Sequence, residues 1–212
     1  EEIARTLPDA SVLESSAAHR ITRTLPARPT VIVATAGAEP SVDGGYACAI
    51  ILDAAALVGR PELWAPEEAA RRWLDALSLV RPGHPGLVVG TIPEALGQML
   101  VRWSPTDYAQ RLLDEREALG FFPACTMVAL DGTAAQVRQV ADQVVREGGA
   151  ELVGTVAIPA TREGEQNQVR TLVRTPLPDT VAMLQALTDI RRSRSARKVP
   201  LVKMSVNPPE LF

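Results

Sequence analysis

Two rhythms of apolar residues divide this 212-residue chain, and the change of rhythm near residues 117–123 constrains the fold more than any motif. Before it, β-branched runs without polar interruption alternate with amphipathic segments: "TVIVATAG" (30–37), "YACAIILDA" (46–54) and "GLVVGT" (86–91) surround "APEEAARRWLDALSLVRPG" (65–83). Continuous apolar runs are the mark of parallel strands covered on both faces, and strand–helix–strand alternation is the mark of an α/β layer. In the helix over 65–83, Pro66 suits the first turn, Glu67 and Glu68 suit its positive end, and Trp73, Leu74, Leu77 and Val80 form one face before Pro82-Gly83. A short helix over 1–8, a strand at "SVLESS" (11–16) and a loop over 17–29 precede it. "IPEALGQMLVRW" and "SPTDYAQRLLDEREALG" follow as helices, the second with Ser104 as its cap.

After Gly120 the order becomes strand (124–130), helix (133–149), strand (150–160), polar turn "REGEQN", alternating strand (168–176), helix (177–194) and strand (200–209). Val137, Val140, Val144 and Val145 make one stripe of the first helix. This β-α-β-β-α-β succession predicts a ferredoxin-like α+β domain with two helices on one face of a half-exposed antiparallel sheet. The expected organisation is a unit over 1–118 and a second over 119–212. Charge divides at the same place. Residues up to Glu117 carry 11 Lys+Arg against 16 Asp+Glu, net −5, and the remainder carries 11 against 9, net +2.

Chemistry is sparse. No phosphate-cradling Gly-x-x-x-x-Gly-Lys-Ser/Thr, dinucleotide Gly-x-Gly-x-x-Gly or Gly-x-Ser-x-Gly elbow occurs. His19 and His84 are read as surface residues. Cys48 and Cys125 stand alone, so neither a zinc site nor a disulfide framework is expected, and both thiols are read as buried and inert. Asp53 sits where α/β proteins place functional carboxylates, with a cap to the following loop as the plainer role. No apolar run is long enough to cross a bilayer, and the acidic, Met-less start reads as a piece of a longer protein. Lone cysteines fit a reducing cytosol, so a cytoplasmic protein is expected.

The strongest local signal is "RRSRSARKVP" (191–200), five cations in ten positions of a chain whose net charge is −3. Three uses compete for Arg191, Arg192, Arg194, Arg197 and Lys198. They complement a helix C-terminus, they contact nucleic-acid phosphates, aided by Ser193 and Ser195, or they capture an acidic peptide tail. Arg170 and Arg174 alternate on the strand 168–176, beside Gln166 and Gln168, and are weaker candidates for the same phosphate contact. After Glu117 the only aromatic residues are Phe121, Phe122 and Phe212, so base stacking is not expected there. Trp64, Trp73 and Trp103 are read as core or core-edge residues.

The ordered set "TVIVATAGAEP", "YACAIILDAAALVGRPELWAPEEAARRWLDALSLVRPG", "GLVVGT", "VRWSPTDYAQRLLDEREALGFFP" and "SARKVPLVKMSVNPPEL" resembles the PriA family of superfamily-two replication-restart helicases, in its actinobacterial form, along nearly the whole chain. The resemblance implies a RecA-like second motor lobe with lead-out helices followed by a PriA-type C-terminal domain. It also implies degenerate motor positions. Thr35 runs into Ala36-Gly37-Ala38-Glu39, where the family has a Gln and a Lys-Gly touching ATP and DNA. Asp53 is kept but Ala55 fills the second acidic place, and Arg81 alone stands near the family's arginine pair. By the same resemblance the zinc-binding cysteines and an ATP-binding lobe fall upstream, and no cofactor is expected in this chain. The expected function is a non-catalytic, fork-DNA-binding part of a replication-restart protein, with single-strand-binding protein and primosome components as partners. The alternatives are the second lobe of an active ATP-dependent 3'-5' helicase and a protein-only interaction module.

Overall fold

A computed structural model describes residues 5–6, 9–22, 28–159 and 168–211. The expected helix over 1–8, apart from residues 5–6, and the polar turn "REGEQN" lie outside the described residues. The chain forms two compact units, Glu1–Pro105 and Thr106–Phe212, so the helix Pro105–Leu119 is grouped almost entirely with the second unit.

In the first unit β1 (Ser11–Ser15) pairs in parallel with β2 (Thr30–Ala34), and β3 (Ala49–Ile51) pairs in parallel with β4 (Gly86–Val88). The helices are α1 (Ala54–Val58), α2 (Ala65–Ser78) and α3 (Glu94–Arg102). Helix α2 has Pro66 in its first turn with Glu67 and Glu68, and buries Ala65, Ala69, Ala70 and Trp73. It stops at Ser78, ahead of Pro82, because a backbone bridge claims the next residues. The Tyr46 N–H donates to the Leu79 carbonyl at 2.8 Å and the Arg81 N–H to the Tyr46 carbonyl at 2.9 Å.

The strands are shorter and more open than their composition implies. Ile50, Leu52, Leu87 and Val89 are exposed, and so is Cys48, against the expectation of a buried thiol. Among the described residues each ladder has two strands, so an apolar run is not enclosed as it would be at the centre of a wide sheet. Strand β3 ends where Asp53 takes a left-handed conformation (φ 51) and opens α1, a helix that apolar spacing does not indicate. Of the tryptophans read as core or core-edge residues, Trp73 is buried but Trp103 is 52% exposed.

The second unit contains α4 (Pro105–Leu119), β5 (Cys125–Thr133), α5 (Ala134–Gly148), β6 (Glu151–Ile158), β7 (Gln168–Pro176), a 3-10 turn (Leu177–Asp179), α6 (Thr180–Ala196) and β8 (Lys203–Val206). The strands form one sheet in the order β6-β7-β5-β8, every pairing antiparallel. Residues alternate between faces, and register decides which meet. Val128 and Leu130 of β5 join Val173 of β7, Val137, Val140 and Val144 of α5, and Met183, Leu187 and Ile190 of α6 in one core. Val145 is turned out of the expected stripe and exposed.

The opposite face is more covered than a half-exposed sheet implies, since Met127, Ala129 and Leu172 on it are buried. Two chain segments are hydrogen-bonded to residues of this face. Asn207 exchanges bonds with Met127, its N–H donating to the Met127 carbonyl (2.8 Å) while its Oδ1 accepts the Met127 N–H (3.0 Å). Arg174 donates to the Leu119 and Gly120 carbonyls at 2.9 and 3.1 Å.

Among the described residues the same face carries three cross-strand ion pairs, the loosest between Lys203 Nζ and Asp131 Oδ2 at 3.7 Å. Asp131 lies opposite Arg170 and Glu151 opposite Arg174 in the ladders. Arg170 grips Asp131 bidentately at 2.8 and 2.9 Å, and Arg174 grips Glu151 at 2.9 and 3.2 Å. Hydrogen bonding to Arg170 holds the Asp131 carboxyl below its ordinary value, against the opposing effect of burial. A depressed folded-state pKa stabilises above the unfolded value and loses that effect as pH falls through the folded one.

Two outcomes follow. Asp131→Asn lowers stability at neutral pH, and the gap to wild type in denaturant melts narrows below about pH 4. Gly45→Ala destabilises the first unit by more than about 1 kcal/mol in the same melts, because Gly45 has φ 76 and an added Cβ would lie 2.9 Å from the Leu79 carbonyl oxygen.

Candidate nucleic-acid interface

Helix α6 buries Met183, Leu187, Ile190 and Arg194, spaced by four, three and four residues. That is the apolar stripe of a helix lying on a sheet, and its last position is a guanidinium. The 3-10 turn at Leu177–Asp179 sets the entry of α6, and the Thr126 and Thr180 hydroxyls, 2.6 Å apart, tie its first turn to β5. The exit is closed by backbone bonds. The Arg197 N–H donates to the Ser193 carbonyl, Lys198 to Ser195 and Val199 to Arg194, at 3.0–3.1 Å. Lys198 takes a left-handed conformation (φ 54) that ends the helix, where glycine or asparagine is the usual choice.

Arg191 and Arg192 near the end of α6, and Arg197 and Lys198 just past it, are exposed to solvent. Arg192 makes one loose ion pair, 3.7 Å to Asp189, while 76% exposed. Arg191, Arg197 and Lys198 have no carboxylate within 4.0 Å among the described residues. Like charges with few internal partners can attract an anion through several simultaneous contacts, each weak in water.

Arg194 is not part of that display. It is 7% exposed, with Nη1 donating to Gln139 Oε1 (3.1 Å) and Nη2 to the Pro200 carbonyl (2.8 Å). Its assignment as a direct phosphate contact is corrected by its place on the buried stripe. The sequence carries that signal in the 183-187-190-194 spacing, which the run of surrounding arginines obscures.

Arg170 and Arg174 also depart from expectation. They do share one face of β7, but each guanidinium is held by the carboxylate across the ladder, and Arg170 Nη1 donates further to the Glu210 carbonyl at 3.1 Å. Both are fastenings of the sheet, because register set an acid opposite each. Arg138, one residue from Gln139 on α5, is an exposed cation that no local charge run marks out.

In the first unit, Thr35, Asp53 and Arg81 share no hydrogen bond or ion pair with one another among the described residues. Thr35 is exposed and its N–H donates to the Ser15 carbonyl at 3.0 Å. Asp53 is exposed and makes no side-chain cap to α1. Arg81 Nε donates to the Gly45 carbonyl at 2.8 Å, which fastens the Tyr46 bridge. Among the described residues there is no group of three or more His, Cys, Asp and Glu that could hold a metal ion, and no helix is long and apolar enough to cross a membrane.

The model of the primosomal protein N C-terminal domain matches residues 117–209. The chain is 38% identical over 162 residues to the probable replication restart protein PriA of Mycobacterium leprae, covering 75% of this chain and 25% of that protein. It is 41% identical over 140 residues to the protein of the same name from Mycobacterium tuberculosis (strain ATCC 25618 / H37Rv), covering 65% of this chain and 21% of that protein. The chain thus spans no more than a quarter of the length of these relatives. On these matches, and with an α/β structure throughout, the chain is PriA-like, with a primosomal protein N C-terminal domain over residues 117–209.

Proposed function

We propose that this chain is a non-catalytic, DNA-binding portion of a replication-restart protein, and that Arg191, Arg192, Arg197 and Lys198 contact the phosphate backbone of forked DNA. The observation that carries this reading is the run of solvent-facing cations at and just past the C-terminal end of α6, largely unpaired among the described residues, in a chain whose relatives are named replication restart proteins. Backbone contacts of this kind bind without reading sequence and position the duplex for other components. A role in loading the primosome, beside single-strand-binding protein, is the biological use that fits it.

The sheet order β6-β7-β5-β8 with α5 and α6 on one face supports the ferredoxin-like reading of the second unit. The parallel ladders and interleaved helices of the first unit are in keeping with a RecA-like second lobe. Its family positions Thr35, Asp53 and Arg81 are solvated or occupied by backbone, which favours a scaffold over a motor.

Binding of labelled fork DNA, followed by fluorescence anisotropy across a salt series, tests the proposal. Arg191→Ala/Arg192→Ala/Arg197→Ala should bind more weakly at every salt concentration. Its slope of log K against log salt should be shallower by about 0.9 for each duplex phosphate that the variant leaves without a cation. Unchanged affinity and slope would mean that the cluster only finishes a helix. Tight binding of an acidic peptide with no shift of fork DNA would support the protein-only module instead.

A further inference from the structure

Arg194 presents an imbalance that the fold does not resolve. Its guanidinium is nearly buried, yet both acceptors it reaches, the Gln139 amide oxygen and the Pro200 carbonyl, are neutral. Its Nε is buried without a hydrogen-bond partner among the described residues. No carboxylate comes within 4.0 Å of it among the described residues. The contrast with Arg170 is internal to the same domain, since Arg170 is partly buried and has Asp131 in bidentate contact. Burying a cation without a counter-charge is costly, and folded proteins ordinarily supply one. The negative end of α6 offsets only part of it, being equivalent to about half an elementary charge. Exposed Arg191, near the end of α6, and Arg197 and Lys198, just past it, add further positive charge to this stretch of chain.

We infer that the C-terminal end of α6, with the residues just past it, is an oxyanion site whose missing counter-charge is a phosphate group, with Arg194 as its buried, positioning half. Exposed Arg191, Arg197 and Lys198 meet the anion directly. Arg194 acts from beneath in two ways. Its bond to Pro200 holds the segment that follows Lys198, and its charge acts through low-dielectric protein, where it is screened less than a surface charge. The ligand chemistry is a phosphate monoester or diester oxyanion, whether in a nucleic-acid backbone or free. The inference rests on the DNA-binding reading above and adds a specific anchoring residue to it.

Gln139 supplies the decisive variant. Its Oε1 already accepts from Arg194, so Gln139→Glu delivers the absent carboxylate at an existing contact. The expected result is a higher melting temperature for the ligand-free chain, together with weaker binding of fork DNA. Arg194→Met removes the charge while keeping most of the side-chain volume. It should stay folded and bind weaker by roughly threefold to thirtyfold, the effect of one charge at a distance on the order of 8 Å in an effective dielectric between about 20 and 80.

Melts at constant ionic strength with sodium phosphate replacing sodium chloride, and with a short duplex oligonucleotide, identify the source. Stabilisation by both, reduced in either variant, upholds an oxyanion site. Stabilisation by the oligonucleotide alone, reduced in either variant, upholds it for the phosphodiester. Wild-type affinity and ligand-induced stabilisation in both variants would overturn the inference, and so would a loss of stability in Arg194→Met with the ligand effect intact. If Arg191→Ala/Arg192→Ala/Arg197→Ala weakens fork binding while Gln139→Glu and Arg194→Met do not, only the role of Arg194 fails. If none of the three affects binding, the interface itself fails.

Discussion

The second unit depends on the pairing of β5 with β7. Nine consecutive residue pairs, from Cys125↔Pro176 to Thr133↔Gln168, place these two strands at the centre of the sheet, with β6 and β8 as edges. Since side chains alternate, that single register assigns every residue of both strands to a face. It sets Val128 against Val173 beneath the helices, and Asp131 against Arg170 on the other side. A slip of one residue would bury the guanidinium groups among valines and expose the core. The hydrophobic pattern and the cross-strand ion pairs therefore specify the same alignment.

From that alignment the geometry of the cationic turn follows. The core face of β5 and β7 receives α6 along Met183, Leu187 and Ile190, which fixes the helix's rotation about its axis. The rotation turns Arg194 inward and Arg191 and Arg192 outward, and the turn past the helix leaves Arg197 and Lys198 exposed. The contrast among the arginines is thus one of placement. Arg170 and Arg174 face acids across a ladder, Arg194 ends an apolar stripe, and the others face water. Residue type alone does not separate these roles, because the chain uses Arg almost exclusively as its cation.

The first unit follows a different logic. Helix α2 forms where proline and apolar spacing indicate and α1 where they do not, and among the described residues the strands pair two by two. The left-handed turn at Asp53 and the Gly45–Tyr46 bridge to Leu79–Arg81 set the connections around these ladders. Arg81 is engaged by that bridge. Asp53 and Thr35 remain solvated. These are side chains at the ends of strands and helices, with no shared contact through which to act as a unit.

Much of the architecture was legible in the amino-acid order. The succession of elements in the second unit, the buried valines of α5 at 137, 140 and 144, and the cluster at 191–198 follow from spacing, because periodicity is a local property of the chain. What tertiary structure alone decided was partnership. Asp131 and Arg170 are separated by 39 residues, and Arg194 and Gln139 by 55, so no local pattern foretells that one guanidinium finds a carboxylate and the other only neutral oxygens. The sequence by itself determined where charges lie along the helices and strands. Only the packed sheet decided which of them are neutralised within the fold and which remain to attract another molecule, because neutralisation depends on distance in space and on the dielectric around each group.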